Sequence, residues 1–596
     1  MTDENSSILC QKIRAHLHML YPDADQPVLA KKCLEAMGLE ESSASPPPHQ
    51  NIWDQQDAVL ITYGNSIVAD DEVPLQTLNR FCTRYLEDTI STVHVLPFFP
   101  YSSDDGFSVM DYTAVNPSLG EWGDIKALSE HYKVMCDLVL NHCSTRSRWY
   151  ENFKAGRDPG ANYFVTAAPD FDTSGIIRPR TSALLKEQET SDGTKYVWCT
   201  FSHDQADLDF SNPDVLLEFI SIIKFYLESG VRWFRLDAVA FLWKTPGTPC
   251  LSQPETHEVI RLLRLLIEHK AQDTVIISET NIPNRENLTY FGNANEAHLI
   301  YNFSLPPLLI NTLISGNCST LKNWLMTMPP AQSGTAYLNF IASHDGIGLR
   351  PTEGLLSNWE VDTLVSTMEQ FGAKLSSRTT SDGSSKPYEI NVSLWDALQG
   401  TTRHGPDELQ LQRFICAHGI MLALEGIPAL YIHSFLGTEN DNDGVAHTGA
   451  PRSINRHTWP LHKLENKLGD ELHHIQVLRA LTHLLKKRKN QLAFHPNATQ
   501  YTLHTGEKIL SFWRQSVDRS QSIFAVFNIS DQPQMLSLSD LNLIATDDWI
   551  DLVTDQHYED KVKLITLAPY QFIWLTNKVC ENTCEQEETG KKEETD

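Results

Sequence analysis

The 596-residue sequence contains no unbroken apolar run of about 18 residues, the length at which a helix begins to cross a bilayer, so no membrane span is expected. Positive charge is scarce: 48 Lys plus Arg stand against 76 Asp plus Glu, a net charge of −28. Such a surface repels phosphate backbones and anionic lipid. It argues against nucleic-acid and membrane partners, and any anionic ligand must find a local basic pocket. Met1-Thr-Asp-Glu-Asn5 lacks the basic segment that precedes the apolar stretch of a cleaved leader, so secretion by that route is not expected. The 11 cysteines are odd in number and scattered, often inside apolar runs such as Val134-Met-Cys136. That pattern reads as reduced thiols of a cytoplasmic protein, not as a disulfide framework. No internal repeat is visible.

Apolar content is sufficient for a globular chain, and the length exceeds what one compact core accommodates. Residues 1–55 read as a helical extension closed by Pro46-Pro47-Pro48, through which no helix continues. Eight short apolar runs follow: Ala58–Tyr63, Val93–Phe98, Val134–Leu140, Val231–Asp237, Thr274–Glu279, His298–Phe303, Ala336–Ala342 and Ile427–Ile432. Near-continuous apolar strands are expected where helices cover both faces of a parallel sheet. Helical signals lie between them. Asn212-Pro213 precedes one segment and Gly230 follows it, while Val259, Ile260, Leu263, Leu266 and Ile267 form a stripe on the next. Eight strand–helix units predict a (β/α)8 TIM barrel over residues 56–492. Two gaps too long for ordinary loops predict inserted subdomains at about 143–211 and 346–411. Short strands predict a C-terminal β-domain at 493–577, and the charged stretch 578–596 predicts a disordered tail. The expected fold class is α/β: a barrel with two inserted subdomains, an N-terminal helical extension and a C-terminal β-domain.

A barrel of this kind carries its active site at the C-terminal edge of its strands. There the third run ends Asp137-Leu-Val-Leu-Asn141-His142, the fourth Arg235-Leu-Asp237 and the fifth at Glu279, and the seventh is followed by His344-Asp345. Any one of these acids alone reads as a helix cap or a loop residue. Three acids at the ends of three strands, each beside an Arg, His or Ser, read as catalytic. Paired carboxylates suit glycosidic bond chemistry, in which one attacks the anomeric carbon while the other, protonated, donates to the leaving oxygen. In the retaining mechanism they lie about 5–5.5 Å apart. Arg235, two residues before Asp237 on the same face of its strand, is placed to hold that carboxylate ionised.

Asp137…Asn141-His142, Arg235-Leu-Asp237-Ala, Ile277-Ser-Glu279 and His344-Asp345 resemble, in order, the four signature segments of the alpha-amylase family of glycoside hydrolases. Further segments resemble its sucrose-phosphorylase-like subgroup, whose members transfer glucose to and from inorganic phosphate. These are Asp104-Asp-Gly-Phe107, Arg178-Pro-Arg180, Phe201…Gln205, Trp243-Lys-Thr-Pro-Gly-Thr248, Ser304-Leu-Pro-Pro307, His344-Asp-Gly-Ile-Gly348 and Ile454-Asn-Arg456-His. The resemblance implies Asp237 as nucleophile, Glu279 as general acid/base and Asp345 as the third, transition-state-stabilising acid. It implies a donor-glucose pocket of Asp104, Phe107, His142, Arg235, His344 and Arg456, with Phe201 and Gln205 at the acceptor boundary. A phosphorylase needs cations where phosphate enters, and guanidinium matches phosphate bidentately. Arg178 and Arg180 are the candidates, and either alternatively pins a loop.

The N-terminal extension and Gly348-Leu-Arg350-Pro-Thr-Glu353-Gly look closer to the glucosylglycerate phosphorylases of that subgroup than to the sucrose enzymes. A glycerate acceptor carries a carboxylate, so Arg350, and less strongly Lys244, are acceptor candidates; Arg350 alternatively pairs with Glu353. The implied partners are a small glucoside and inorganic phosphate as co-substrate, with no cofactor. No metal site is expected. Glu439-Asn-Asp441-Asn-Asp443-Gly444 departs from a calcium loop in its first ligand and in Ala450 at its twelfth position. His473-His474 are adjacent on a helix and so expected to point apart. Cys580 and Cys584 alone do not close a zinc site.

Overall fold

Eight strands, Val59–Thr62, Thr92–Val95, Lys133–Val139, Val231–Asp237, Val275–Ser278, Leu299–Tyr301, Ala336–Phe340 and Ile427–Tyr431, close into a barrel in which each hydrogen-bonds its sequence neighbours and the first meets the last. Every pairing is parallel. This is a computed structural model, and it describes residues 2–578 apart from 42–44, 181, 380–384, 471, 542 and 545–546. The charged stretch from 579 onward, with Cys580 and Cys584, lies outside the described residues.

Both faces of the strands are buried, as expected of near-continuous apolar runs under a helical layer. The helix Pro213–Glu228 starts at Asn212, whose side chain accepts from Asp214 N–H, with Pro213 at its first turn. Gly230 follows at φ 98°, a backbone conformation that an L side chain rarely adopts. The next helix, Pro254–Lys270, buries Val259, Ile260, Leu263, Leu266 and Ile267.

Two N-terminal helices, Thr2–Leu20 and Gln26–Met37, lie on these two barrel helices. Leu9, Ile13 and Leu17, four residues apart, are buried on one face. The Tyr21 hydroxyl donates to Phe210 O at 2.9 Å, and His16 Nδ1 lies 2.8 Å from Glu258 Oε1.

Two excursions rise over the C-terminal edge of the barrel. The first carries the helix Arg148–Ala155 and an antiparallel sheet of Thr166–Ala167, Gly193–Trp198 and Leu185–Thr190. The second carries the helix Asn358–Gln370 and a sheet ordered Ile347–Gly348, Ser385–Asn391, Lys374–Thr379. Beyond the helix His473–Arg488 comes a five-stranded antiparallel sheet ordered Thr499–Thr502, Ile509–Gln515, Ser522–Asn528, Phe572–Thr576, Ile550–Asp551. It packs so closely on the helix Gln410–Ala423 that a Cβ on Gly419 would fall 2.6 Å from the Phe572 ring. Among the described residues no helix is long and apolar enough to cross a membrane.

Candidate active site

Strand register builds the floor of the site. Arg235 on the fourth strand pairs in register with Asp137 on the third. In a parallel ladder, residues in register point to the same face, here the barrel interior. Arg235 Nη1 is hydrogen-bonded to Asp137 Oδ1, and it lies 2.7 Å from Oδ1 of Asp237, two residues further along. His94 on the second strand places Nε2 2.7 Å from the other Asp137 oxygen. Burial opposes ionisation of Asp137, but Arg235 and then His94 outweigh it and hold the carboxyl below its usual range.

Glu279 follows the fifth strand, its N–H continuing the ladder to Leu236 O. Its Oε2 accepts from Ala238 N–H at 2.8 Å, and its Oε1 is 3.7 Å from Arg235 Nη2. Burial raises Asp237 and Glu279 above the ordinary carboxyl range. Glu279 raises Asp237 further, and Asp345 and Asp137 raise Glu279. The pair therefore releases its last proton late, as one unit. Within the pair Arg235 makes its shorter contact to Asp237, 2.7 Å against 3.7 Å to Glu279, which favours the charge on Asp237. A carboxylate beside a carboxylic acid is the arrangement that attack and protonation at one acetal carbon require.

The third acid is compensated differently. Asp345 Oδ1 is 2.7 Å from Arg452 Nη1, and Arg456 Nη2 and His344 Nε2 stand 3.8 and 3.5 Å from this carboxylate. Burial alone would raise Asp345, but Arg452 first, then His344 and Arg456, hold it well below its usual range. Glu389 from the second excursion grips Arg452 at 2.9 and 3.1 Å and accepts from Gly346 N–H at 3.0 Å. Asn455 Nδ2 donates to Asp345 O at 3.0 Å. Burial chiefly, then Arg235 and Arg456, push the His344 imidazole down to about 3, so it is neutral here.

Phe107 and His344 stack with centroids 5.2 Å apart and planes at 7°, forming a flat apolar wall. His142 Nε2 donates to Phe107 O at 3.0 Å, and Gln205 Nε2 donates to Asp104 Oδ2 at 3.2 Å. Asp104 itself sits at φ 56°. Phe201 packs on His142 at 5.0 Å. One cavity is lined by Asp104, Phe107, His142, Phe201, Gln205, Arg235, Asp237, Glu279, His344 and Asp345, so these candidates share a single space. Arg456 stands behind it, donating from Nε to His344 O at 2.8 Å and from Nη1 to Asp105 Oδ2 at 2.5 Å.

The four basic acceptor candidates divide. Arg180 and Arg350 line the cavity, and Arg180 lies 5.8 Å over the Phe201 ring. Arg350 Nε is buried with no hydrogen-bond partner among the described residues. Arg178 and Lys244 are engaged elsewhere. Arg178 donates to the carbonyls of Ser182, Cys199 and Thr200, pinning its loop. Lys244 Nζ is bound at 2.7 Å to both Asp207 Oδ2 and Asn141 Oδ1. Sequence reading missed Arg452, Glu389, Tyr388 and Asn281, which also line the cavity. The only signal for Arg452 was its place four residues before Arg456; Glu389 had none.

Asp441 caps the helix Asn442–Thr448 and pairs with His457 at 2.8 Å. The expectation that His473 and His474 point apart is corrected: their rings lie 4.0 Å apart, and both face Glu439. They are the first two residues of their helix, and each ring turns back to a carbonyl of the preceding chain, Gly437 O at 2.9 Å and Leu436 O at 2.6 Å.

Comparison with known proteins agrees with this architecture. The family described as "Alpha amylase, catalytic domain" matches residues 84–348, and "Maltogenic Amylase, C-terminal domain" matches residues 501–574. A glucosylglycerate phosphorylase of Allomeiothermus silvanus is 39% identical, covering 95% of this chain and 98% of its own. One of Spirochaeta thermophila is also 39% identical, covering 88% of this chain and 90% of its own. The crystal structure of sucrose 6F-phosphate phosphorylase from Thermoanaerobacter thermosaccharolyticum superposes with a TM-score of 0.69 at 26% identity, covering 80% of this chain and 94% of that one. Similarity of this extent, along the whole barrel and nearly the full length of the relatives, means that the chain belongs to the alpha-amylase family, on the branch that includes the glucosylglycerate phosphorylases.

Proposed function

We propose that this protein is a retaining glucosyl phosphorylase that converts 2-O-α-glucosylglycerate and phosphate into α-glucose 1-phosphate and glycerate. The observation that carries the reading is that Arg180 and Arg350 share one cavity with Asp237, Glu279 and Asp345. Hydrolysis needs only water opposite the two working carboxyls. Two guanidiniums at the same place suit an anionic acceptor, and both glycerate and phosphate are anions.

In this reading Asp237 attacks the anomeric carbon as the bond to the glycerate oxygen breaks, and Glu279 gives that oxygen its proton. The product of this half-reaction is a β-glucosyl ester of Asp237. Phosphate then occupies the space glycerate vacated. One of its oxygens attacks the same carbon from the face the aglycone left, the ester bond to Asp237 breaks, and the phosphate proton returns to Glu279. Two inversions give the α-product. Asp345, kept ionised by Arg452, stabilises the positive charge that develops on the ring in both steps. Inorganic phosphate serves as co-substrate and no cofactor is required. A cytoplasmic setting fits nine described cysteines that are all free.

The test is an acceptor screen in the reverse direction. The purified protein receives α-glucose 1-phosphate with D-glycerate, glycerol, fructose or no acceptor, and phosphate release is followed. Preference for glycerate, lost in Arg350→Ala through a higher KM for glycerate, is the expected result. Equal release without acceptor would make water the acceptor and overturn the phosphorylase; preference for fructose or glycerol would overturn the glycerate assignment.

A further inference from the structure

Behind the active-site cavity, the loop after the eighth strand meets the start of the helix His473–Arg488, and three side chains with metal-ligand chemistry converge. Among Glu439, His473 and His474, one ligand atom from each lies within 4.8 Å of the others. Glu439 Oε1 is 3.5 Å from His473 Nε2 and 4.0 Å from His474 Nε2. A tetrahedral zinc ion with bonds of roughly 2.0–2.1 Å holds its ligands about 3.4 Å apart, so a small contraction closes the set.

His474 supplies a second, independent observation. Its Nδ1 stands 2.6 Å from Leu436 O; a carbonyl only accepts, so Nδ1 carries the proton. In the neutral ring Nε2 is then a bare lone pair. That side chain is fully buried, and Nε2 has no hydrogen-bond partner among the described residues. It faces a carboxylate oxygen, so two acceptors confront each other with nothing positive between them. A cation held between the bare Nε2 and the Glu439 carboxylate satisfies both acceptors. A backbone carbonyl fixing Nδ1–H is also the usual outer support of an Nε2-ligating histidine.

We propose that Glu439, His473 and His474 form a binding site for a divalent cation of the zinc class, which ties the loop after the eighth strand to the helix His473–Arg488. His473 gives up the hydrogen bond from its Nε2 to Gly437 O on binding. Solvent completes the coordination from the side of Glu439, whose side chain is 45% exposed. The site lies outside the sugar cavity and its role is positional. Asn440, next to Glu439, donates its N–H to Asp396 Oδ2 at 2.8 Å and accepts from Ser393 N–H at 2.8 Å. Ser393 follows the strand that carries Glu389, so the cation would brace the segment gripping Arg452.

The test uses the full-length protein after chelator treatment. Zn2+ binding is measured by calorimetry and Co2+ binding by the visible absorption of tetrahedral cobalt. One site per chain is expected, weakened at least about 100-fold in both Glu439→Gln and His474→Gln. His557→Gln, an exposed histidine of the C-terminal sheet, is the control and should bind as the parent does. Saturating Zn2+ should raise the melting temperature of the parent and not of Glu439→Gln. Because Glu439 is half exposed, its variant folds even if His474→Gln does not. Failure of the parent to bind, or unchanged binding in Glu439→Gln, overturns the proposal.

Discussion

Replacing Arg452 with Met tests how the third acid is held. In the native site Arg452 lies 2.7 Å from Asp345 and 2.9 Å from Glu389. Glu389 is 3% exposed, and without Arg452 it keeps, among the described residues, only the Gly346 N–H at 3.0 Å. Removing one partner of a buried ion pair costs about 3–5 kcal/mol. The Arg452 side chain is 22% exposed, which brings the expected loss to about 2–3 kcal/mol. Glu389→Gln alone strands the opposite charge, while the double variant strands neither. The two single losses should therefore exceed the double loss by about 2 kcal/mol in a urea-unfolding cycle. Activity reports the same contact. Asp345 is held well below its usual range chiefly by Arg452. Without that cation its carboxyl titrates at higher pH, and the acid limb of kcat/KM shifts upward. A displaced third acid lowers kcat/KM about 100-fold near neutrality. Strictly additive stability losses together with an unmoved acid limb would refute this account of the site.

Two further predictions follow from burial. His298 and His418 are lowered to about 4, and His344 and His433 to about 3, in each case chiefly by burial. Their unfolded value lies near about 6.5, so the unfolded chain binds more protons between the two. Stability is then full above about pH 6.5 and falls on acidification by up to about 1.4 kcal/mol per pH unit for each. Urea midpoints at several pH values should show this fall, and His418→Gln should lessen its slope by up to about 1.4 kcal/mol per pH unit; an unchanged slope in that variant would sink the argument. In the N-terminal helix, Leu17 is fully buried, and Leu17→Ala should cost about 2–4 kcal/mol of stability, read as a lower melting temperature and faster proteolysis within residues 2–37. A neutral outcome would mean that the extension does not share the barrel's core.

Local chemistry made much of the fold legible. All eight barrel strands coincide with the apolar runs, because strands covered on both faces have nowhere to place polar side chains. Barrel geometry then assigns their C-terminal edge to the site, so Asp237, Glu279 and Asp345 were readable before any coordinate. The i, i+2 relation of Arg235 to Asp237 was readable too, because it lies within one strand.

Contacts between distant segments were not. Arg178, Arg180, Arg350 and, less strongly, Lys244 were candidate acceptor groups from their motif segments, and only the folded chain decides that Arg180 and Arg350 reach the cavity while Arg178 and Lys244 are engaged by carbonyls and Asp207. Arg452 meets Glu389 across 63 residues of chain. His473 and His474 converge because carbonyls of the preceding loop turn both rings, against the spacing rule for a regular helix. The sequence alone determined the barrel, its direction and the acids at its rim, since period and strand order are local properties. The tertiary structure alone decided which charges face one another, since a long side chain points where the surrounding chain leaves it a partner.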